Sequence, residues 1–245
     1  QVLGDNGQID YDANGDVILM QSNDADVSTA GDDIINLGAG EQRIAAGLGH
    51  DDITAADGEV HLLGDNGELV YLDTVLIRAT ATTAGEGDAD EVSLGHGRVV
   101  AILGDGDDSL NAGDGNKQVI GDHGEILWTD AGIVQQLRTT NTTEGGDDII
   151  NLTDGDNTVL AGKGDDQVTT TAGDDDIIGD NGQIDYDANG DVILMQTTDV
   201  DVSTAGHDTL LAGDGFNRVL GGLGQDAITT GNGDATILGD NGELQ

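Results

Sequence analysis

The chain has no proline and no cysteine, and in 245 residues it has only three Tyr, one Trp and one Phe. Without cysteine no disulfide can staple it, so packing or bound metal must hold the fold. With so few large side chains there is no material for an ordinary globular core, and a thin architecture of small packed layers is indicated. Positive charge is equally scarce. Seven Lys and Arg stand against 49 Asp and Glu, a formal net charge of -42. A surface of that sign repels nucleic acid and anionic membranes, so neither is an expected partner. No apolar run is long enough to cross a bilayer, and no signal peptide is visible at Gln1.

Self-repulsion on this scale holds a bare chain expanded unless cations bind it. An acidic disordered linker is the alternative, and it fails because 36% of the residues are apolar and regularly placed. Halophilic adaptation also gives acidic surfaces, but it does not lock Asp to Gly at a fixed period.

What the chain does have is glycine, 41 residues of it, in two nested periods. GDNG or GDHG begins at Gly4, Gly64, Gly121, Gly179 and Gly239, at spacings of 60, 57, 58 and 60 residues. This divides the chain into units at 4–63, 64–120, 121–178 and 179–238, with the start of a fifth at 239–245. Gly4 to Gly31 matches Gly179 to Gly206 at 25 of 28 positions. Both ends fall inside a repeat, as expected of a piece of a longer array. Within each unit the period is nine, as at Gly31, Gly40, Gly49, Gly58 and Gly67.

Four residues after that glycine runs an aliphatic column: Ile35, Ile44, Ile53, Leu62; Val92, Ala101, Leu110, Val119; Ile150, Val159, Val168, Ile177; Leu210, Val219, Ile228, Ile237. Each nonapeptide therefore reads as a short strand with one inward β-branched side chain, followed by a glycine-built turn. Two nonapeptides make a coil, residues 18 apart stack, and coils lie about 4.8 Å apart.

At GGLGQDAIT, Gly221 to Thr229, the chain resembles the RTX (repeats-in-toxin) family, whose nonapeptide is G-G-x-G-x-D-x-U-x with U a large aliphatic. AGLGHDDIT from Ala46, LGDGDDSLN from Leu103 and AGKGDDQVT from Ala161 come close. The resemblance implies an all-β fold, a right-handed parallel β-roll (β-solenoid) with Ca²⁺ held between turns of successive coils. The chemistry agrees, since Ca²⁺ takes six to eight oxygen ligands from carboxylates and backbone carbonyls. The sixth slot carries aspartates in pairs 18 apart: Asp33 and Asp51, Asp90 and Asp108, Asp148 and Asp166, Asp208 and Asp226. These pairs share one edge of the roll and form one candidate site per unit. The GDNG-type turns place Asp65, Asp122, Asp180 and Asp240 on the same edge. They are read either as ligands of a second ion or as turn residues bonding their own backbone.

The opposite edge carries Gln42, Val60, Val99, Lys117, Asn157, Asp175, Asn217 and Ala235 in the sixth slot. It is expected to bind little or no calcium. Asp24, Asp26, Asp199 and Asp201 read as solvated loop charge.

After four nonapeptides the period breaks. In the first break Asn14-Gly15 between two apolar runs signals a β-hairpin, with one extra coil and a long loop as the alternative. Asp130-Ala131-Gly132 and Leu72-Asp73-Thr74 hold the corresponding places in other units. Tyr11, Tyr71, Trp128 and Tyr186 each fall nine residues beyond the last aliphatic of a rung. They read either as caps on the end of a roll block or as a row of sugar-binding aromatics.

No catalytic constellation is present, and the five His occupy different slots in different units. The expected function is a calcium-stiffened structural segment, a rod or stalk of a large secreted or surface-attached extracellular protein. Its partners would be calcium ions and the neighbouring repeats. The alternatives are a ligand-binding adhesin module for ice or carbohydrate, or the secretion and folding block of an exported enzyme. Against ice, Thr54, Thr169 and Thr229 with Asn111 make a sparse file.

Overall fold

The computed structural model describes residues 1–24, 30–82 and 87–245. It is almost entirely β, with one 3₁₀ turn at Val202–Thr204, and its strands form three sheets. Two sheets are parallel and belong to the roll. The outer one has eight strands, from Ile34–Leu37 to Ala227–Thr230; the central one has nine, from Val2–Leu3 to Ala235–Leu238. The chain alternates between them, so that each nonapeptide supplies one strand. Residues 18 apart are ladder partners as the period requires: Ile35 with Ile53, Ile44 with Leu62, Leu110 with Val92. The turns stack so closely that a Cβ on Gly58, at φ +153°, would strike the Gly40 carbonyl of the coil below.

The sixteen column residues face the gap between these two sheets. Fourteen are buried there, Ile228 is partly buried, and Ile237 on the terminal rung is exposed. Short strands and small rungs thus add up to one continuous apolar file.

The insertions form hairpins. Gly7–Tyr11 pairs antiparallel with Val17–Ser22, Gly67–Leu72 with Val75–Ala81, Gly124–Trp128 with Val134–Thr139, and Gly182–Tyr186 with Val192–Thr197. The second hairpin turns on Asp73 and Thr74, both at positive φ. Each hairpin also pairs with the next, so the insertions make a third, nine-stranded antiparallel sheet. The hairpins break the period in sequence without breaking the roll in space: Ile53 pairs with Val92 and Val119 with Val159 directly across them.

The third sheet lies on the far face of the central sheet. Strand residues alternate in direction, so Leu62 enters the first core while Leu63 enters a second. Leu63, Ile102, Ile120, Leu160, Ile178 and Leu220 pack there against Met20, Leu69, Leu76, Ile126, Leu137 and Met195 of the hairpins. A central strand such as Val99–Ile102 is therefore buried on both faces. Two of the aromatics belong to this second core, which corrects their reading as caps on broken roll ends. Tyr71 is 3% exposed and Trp128 4%, whereas Tyr11 on the first hairpin is 51% exposed. Their polar tips meet the central sheet: Tyr71 Oη lies 2.9 Å from His61 Nδ1, Trp128 Nε1 donates to Gln118 Oε1 at 3.2 Å, and Tyr186 Oη lies 3.3 Å from Thr158 Oγ1.

The second core makes a clear prediction. In calcium-saturated protein, Ile120→Ala should cost about 2–5 kcal/mol in denaturant unfolding, the range for a buried aliphatic truncated to Ala. Ile149→Ala, on the exposed face of the outer sheet, should change stability by less than about 1 kcal/mol.

Candidate metal centre

The sixth slot precedes each outer-sheet strand, so the turns carrying it stack one per coil along one edge. The structure brings Asp33, Asp51, Asp90, Asp108, Asp148, Asp166, Asp208 and Asp226 into a single file there. Each backbone N–H donates to Oδ1 of the next aspartate along the file, at 2.7–3.1 Å: Asp33 to Asp51, Asp51 to Asp90, and so on to Asp208 and Asp226. The pairs read from the sequence are thus members of one continuous series. The ladder joins units as readily as it joins coils within a unit.

The second oxygen is the informative one. Oδ2 of all eight aspartates is buried and has no hydrogen-bond partner. No Lys or Arg forms an ion pair with any of them. Backbone carbonyls converge on the same space, which the first glycine of the four GDNG-type turns at Gly4, Gly64, Gly121 and Gly179 keeps open. A Cβ on Gly64 would collide with Asp90 Oδ2 and the Leu103 carbonyl. One on Gly121 would collide with Asp148 Oδ2 and the Ala161 carbonyl, and one on Gly179 with Asp208 Oδ2 and the Gly221 carbonyl. Orphaned carboxylate oxygens beside carbonyls, with no donor present, suit a hard divalent cation. Unpartnered buried carboxylates are otherwise among the costliest groups in a protein.

Burial raises the proton affinity of the six inner aspartates of the file, and neighbouring carboxylates raise it further. Desolvation, with Asp33 close by, pushes Asp51 up to about 7. Asp90 rises to about 8 and Asp208 to about 9 for the same reasons, and Asp108, Asp148 and Asp166 also rise.

The turn aspartates behave differently. Asp122 accepts from the N–H groups of Gly146 and Lys163, and Asp180 from those of Gly206 and Leu223. Both oxygens of each are occupied by the backbone of following turns, and not by their own turn. Asp65 accepts from Asp105 N at 2.7 Å and leaves Oδ1 without a hydrogen bond. Asp240, on the last turn, is exposed. Asp24 and Asp199 overturn the reading of solvated charge, being 4% and 6% exposed. They accept from the backbone N–H of Asn6 at 3.1 Å and Asn181 at 2.8 Å, tying each hairpin's return to its departure. Asp201 is exposed and caps the 3₁₀ turn; Asp26 lies outside the described residues.

The opposite edge shows how such a turn closes without an ion. Lys117 is 1% exposed, and its ammonium donates to the carbonyls of Gly113 and Gly115. Gln42 Nε2 donates to Gly38 O at 2.9 Å, Asn157 Nδ2 to Gly155 O at 2.8 Å, and Asn217 Nδ2 to Gly213 O at 2.8 Å. Side-chain donors satisfy the turn carbonyls that the aspartate edge leaves open. Asp175 is consumed locally, accepting from Asn157 N, Asn157 Nδ2 and Thr170 Oγ1.

The family model of the RTX calcium-binding nonapeptide repeat matches this chain in four copies, over residues 27–53, 152–183 and 202–237. The chain carries RTX calcium-binding repeats. Curated proteins and solved structures yielded no match. The rungs between residues 54 and 151, outside the matched spans, share the register of those inside them. The RTX repeat is a structural calcium-binding repeat, not a catalytic one. Among the described residues no helix is long and apolar enough to cross a membrane.

The raised aspartates fix a pH dependence. An aspartate normally releases its proton near 3.8; in the metal-free fold, groups such as Asp51, Asp90 and Asp208 hold theirs to about 7, 8 and 9. The folded state then binds more protons than the unfolded one, so metal-free stability falls as pH rises from about 4 to about 9. Without calcium the fold is therefore lost as pH rises through this window, because the buried aspartates would have to ionise unpaired. In calcium-free protein the far-UV β signal should be strongest near pH 4 and fall as pH rises toward about 9. A metal-free β signal that grows with pH over that range would contradict the burial of this file.

Proposed function

We propose that this chain is a segment of a calcium-folded rod in a large secreted or surface-attached protein. The observation carrying the proposal is the file of eight aspartates, each with a buried Oδ2 and no Lys or Arg paired to it. Asp33, Asp51, Asp90, Asp108, Asp148, Asp166, Asp208 and Asp226 are the ligands of choice, each contributing Oδ2 beside turn carbonyls. Asp65 is the best candidate among the turn aspartates for a second set; Asp122, Asp180 and Asp240 would have to exchange their present surroundings for an ion.

The rod would be built from units of about 58 residues, bounded as the GDNG and GDHG strings suggest. In a calcium-poor cytoplasm the file would remain charged and the chain expanded. Outside the cell, calcium would neutralise the file and supply the folding free energy. The hairpin sheet, continuous from unit to unit, gives such a rod a second spine and stiffens it against bending.

Far-UV circular dichroism with and without a calcium chelator tests the coupling. The β signal should collapse on chelation and return when calcium is added back, and a signal that survives chelation would contradict the reading. Single variants then assign the edge. Asp166→Asn should lower the number of calcium ions bound per chain in equilibrium dialysis. Asp175→Asn, on the edge closed by side-chain donors, should leave that number unchanged.

A further inference from the structure

The chain holds five aromatic and seven cationic residues in all. Trp128, Tyr186 and Phe216, with Arg98, Lys117 and Arg218, line one cleft of about 600 Å³. It lies between the tips of the third and fourth hairpins and the Lys117 edge of the roll, away from the aspartate file. We propose that this cleft binds a neutral pyranose chain.

Its floor is polar and fixed. Gln118, Thr158, Asp176 and Arg218 stand in sequence along the far face of the central sheet. Gln118 holds the Trp128 indole and Thr158 meets the Tyr186 hydroxyl. Arg218 grips Asp176 through two hydrogen bonds of 2.6 and 2.8 Å. Rings pinned by their polar edges need no further ordering when a ligand arrives.

Phe216 has no folding role that explains it. It is 44% exposed, in a slot where the other turns of that edge carry Glu41, Glu59, Arg98, Asn116, Asp156, Asp174 and Asp234. Its ring lies 5.9 Å from the Arg218 guanidinium.

The cleft, several hundred Å³ in size, is lined by three aromatic rings and seven charged side chains, a mostly polar concave surface suited to a polyhydroxylated ligand. The exposed Phe216 ring suits the C–H face of a pyranose, with the edges of Trp128 and Tyr186 bordering it, while amide, carboxylate and guanidinium groups suit its adjacent hydroxyls. The ligand is neutral because the cations are already matched. Arg218 is paired with Asp176, Arg98 donates to Glu59 at 2.7 Å, and a chain of net charge -42 repels anions. Free carboxylates are also at hand, since Asp191 on the fourth hairpin lines the cleft and is exposed.

Trp128 is the only tryptophan, so its fluorescence reports on this cleft without a label. The full chain, saturated with calcium and with its β signal verified by circular dichroism, is titrated with cellotetraose, chitotetraose and tetragalacturonic acid. At least one neutral tetrasaccharide should give a saturable change and the acidic one none. Phe216→Ala and Asp191→Ala should each weaken that binding about tenfold, roughly the loss of one anchoring contact, with the circular dichroism unchanged. No saturable response to either neutral probe overturns the proposal. So does a response to the acid alone, or wild-type binding by Phe216→Ala. Because each sample is checked for its β signal first, a failure here is distinct from a failure of calcium-coupled folding.

Discussion

Eight carboxylates, each with one buried and unpartnered oxygen, stand in one file with no Lys or Arg paired to them, and most of the architecture answers to that fact. Neighbours in the file are about one strand spacing apart. At that separation two full charges repel by roughly 3 kcal/mol for an effective dielectric near 20. Over the seven links of the file the total is about 20 kcal/mol, beyond the whole net stability of a typical domain, about 5–15 kcal/mol. Hydrogen bonds from the backbone to Oδ1, worth about 1.5–3 kcal/mol each at best, do not clearly offset it once desolvation is added. The file must take up protons or cations. The chain carries RTX calcium-binding repeats, and calcium is the cation proposed above; the glycines of the GDNG-type turns keep the oxygens within reach of the carbonyls. The opposite edge solves the same problem differently: Lys117 places a covalently attached cation among its turn carbonyls, and Gln42, Asn157 and Asn217 place neutral donors there.

A second constraint explains the long period. Two coils of the roll rise by two strand spacings, and a two-stranded hairpin is two strand spacings wide. One hairpin for every four nonapeptides therefore keeps the antiparallel sheet in step with the parallel one. A hairpin every two nonapeptides would crowd the third sheet, and one every six would leave its edges unpaired. The spacings of 57 to 60 residues vary in the hairpins and their connections; the number of rungs per unit does not.

The nonapeptide chemistry was legible because it is local. A column of aliphatics at period nine fixes which side chain enters the first core, and a carboxylate two residues ahead of it fixes the edge. Asn14-Gly15 announced its hairpin through turn chemistry alone. The third layer was harder to see, although a signal was present. One residue past the column, the rungs of the first three units alternate between polar Thr54, Ser93, Asn111, Asn151, Thr169 and aliphatic Leu63, Ile102, Ile120, Leu160, Ile178, and only Leu211 in the fourth stands in a polar slot. That alternation marks one sheet as wet and the other as covered. Asp24 and Asp199 gave no such hint, because their partners Asn6 and Asn181 are brought to them only by the closed hairpin. For Lys117 the sequence shows the charge but not its use: in the fold its ammonium binds the Gly113 and Gly115 carbonyls in place of an ion. The cleft between hairpin tips and roll edge depends on two layers meeting, which no single repeat encodes.

The most direct test is a crystal structure at saturating calcium with anomalous scattering used to locate the ions. Ions should lie between the stacked turns that carry Asp33 through Asp226, each in contact with an aspartate Oδ2. None should lie at the turns closed by Gln42, Lys117, Asn157 and Asn217. Ions on that second edge, or an aspartate file without ions in an otherwise intact roll, would contradict a calcium file on one edge.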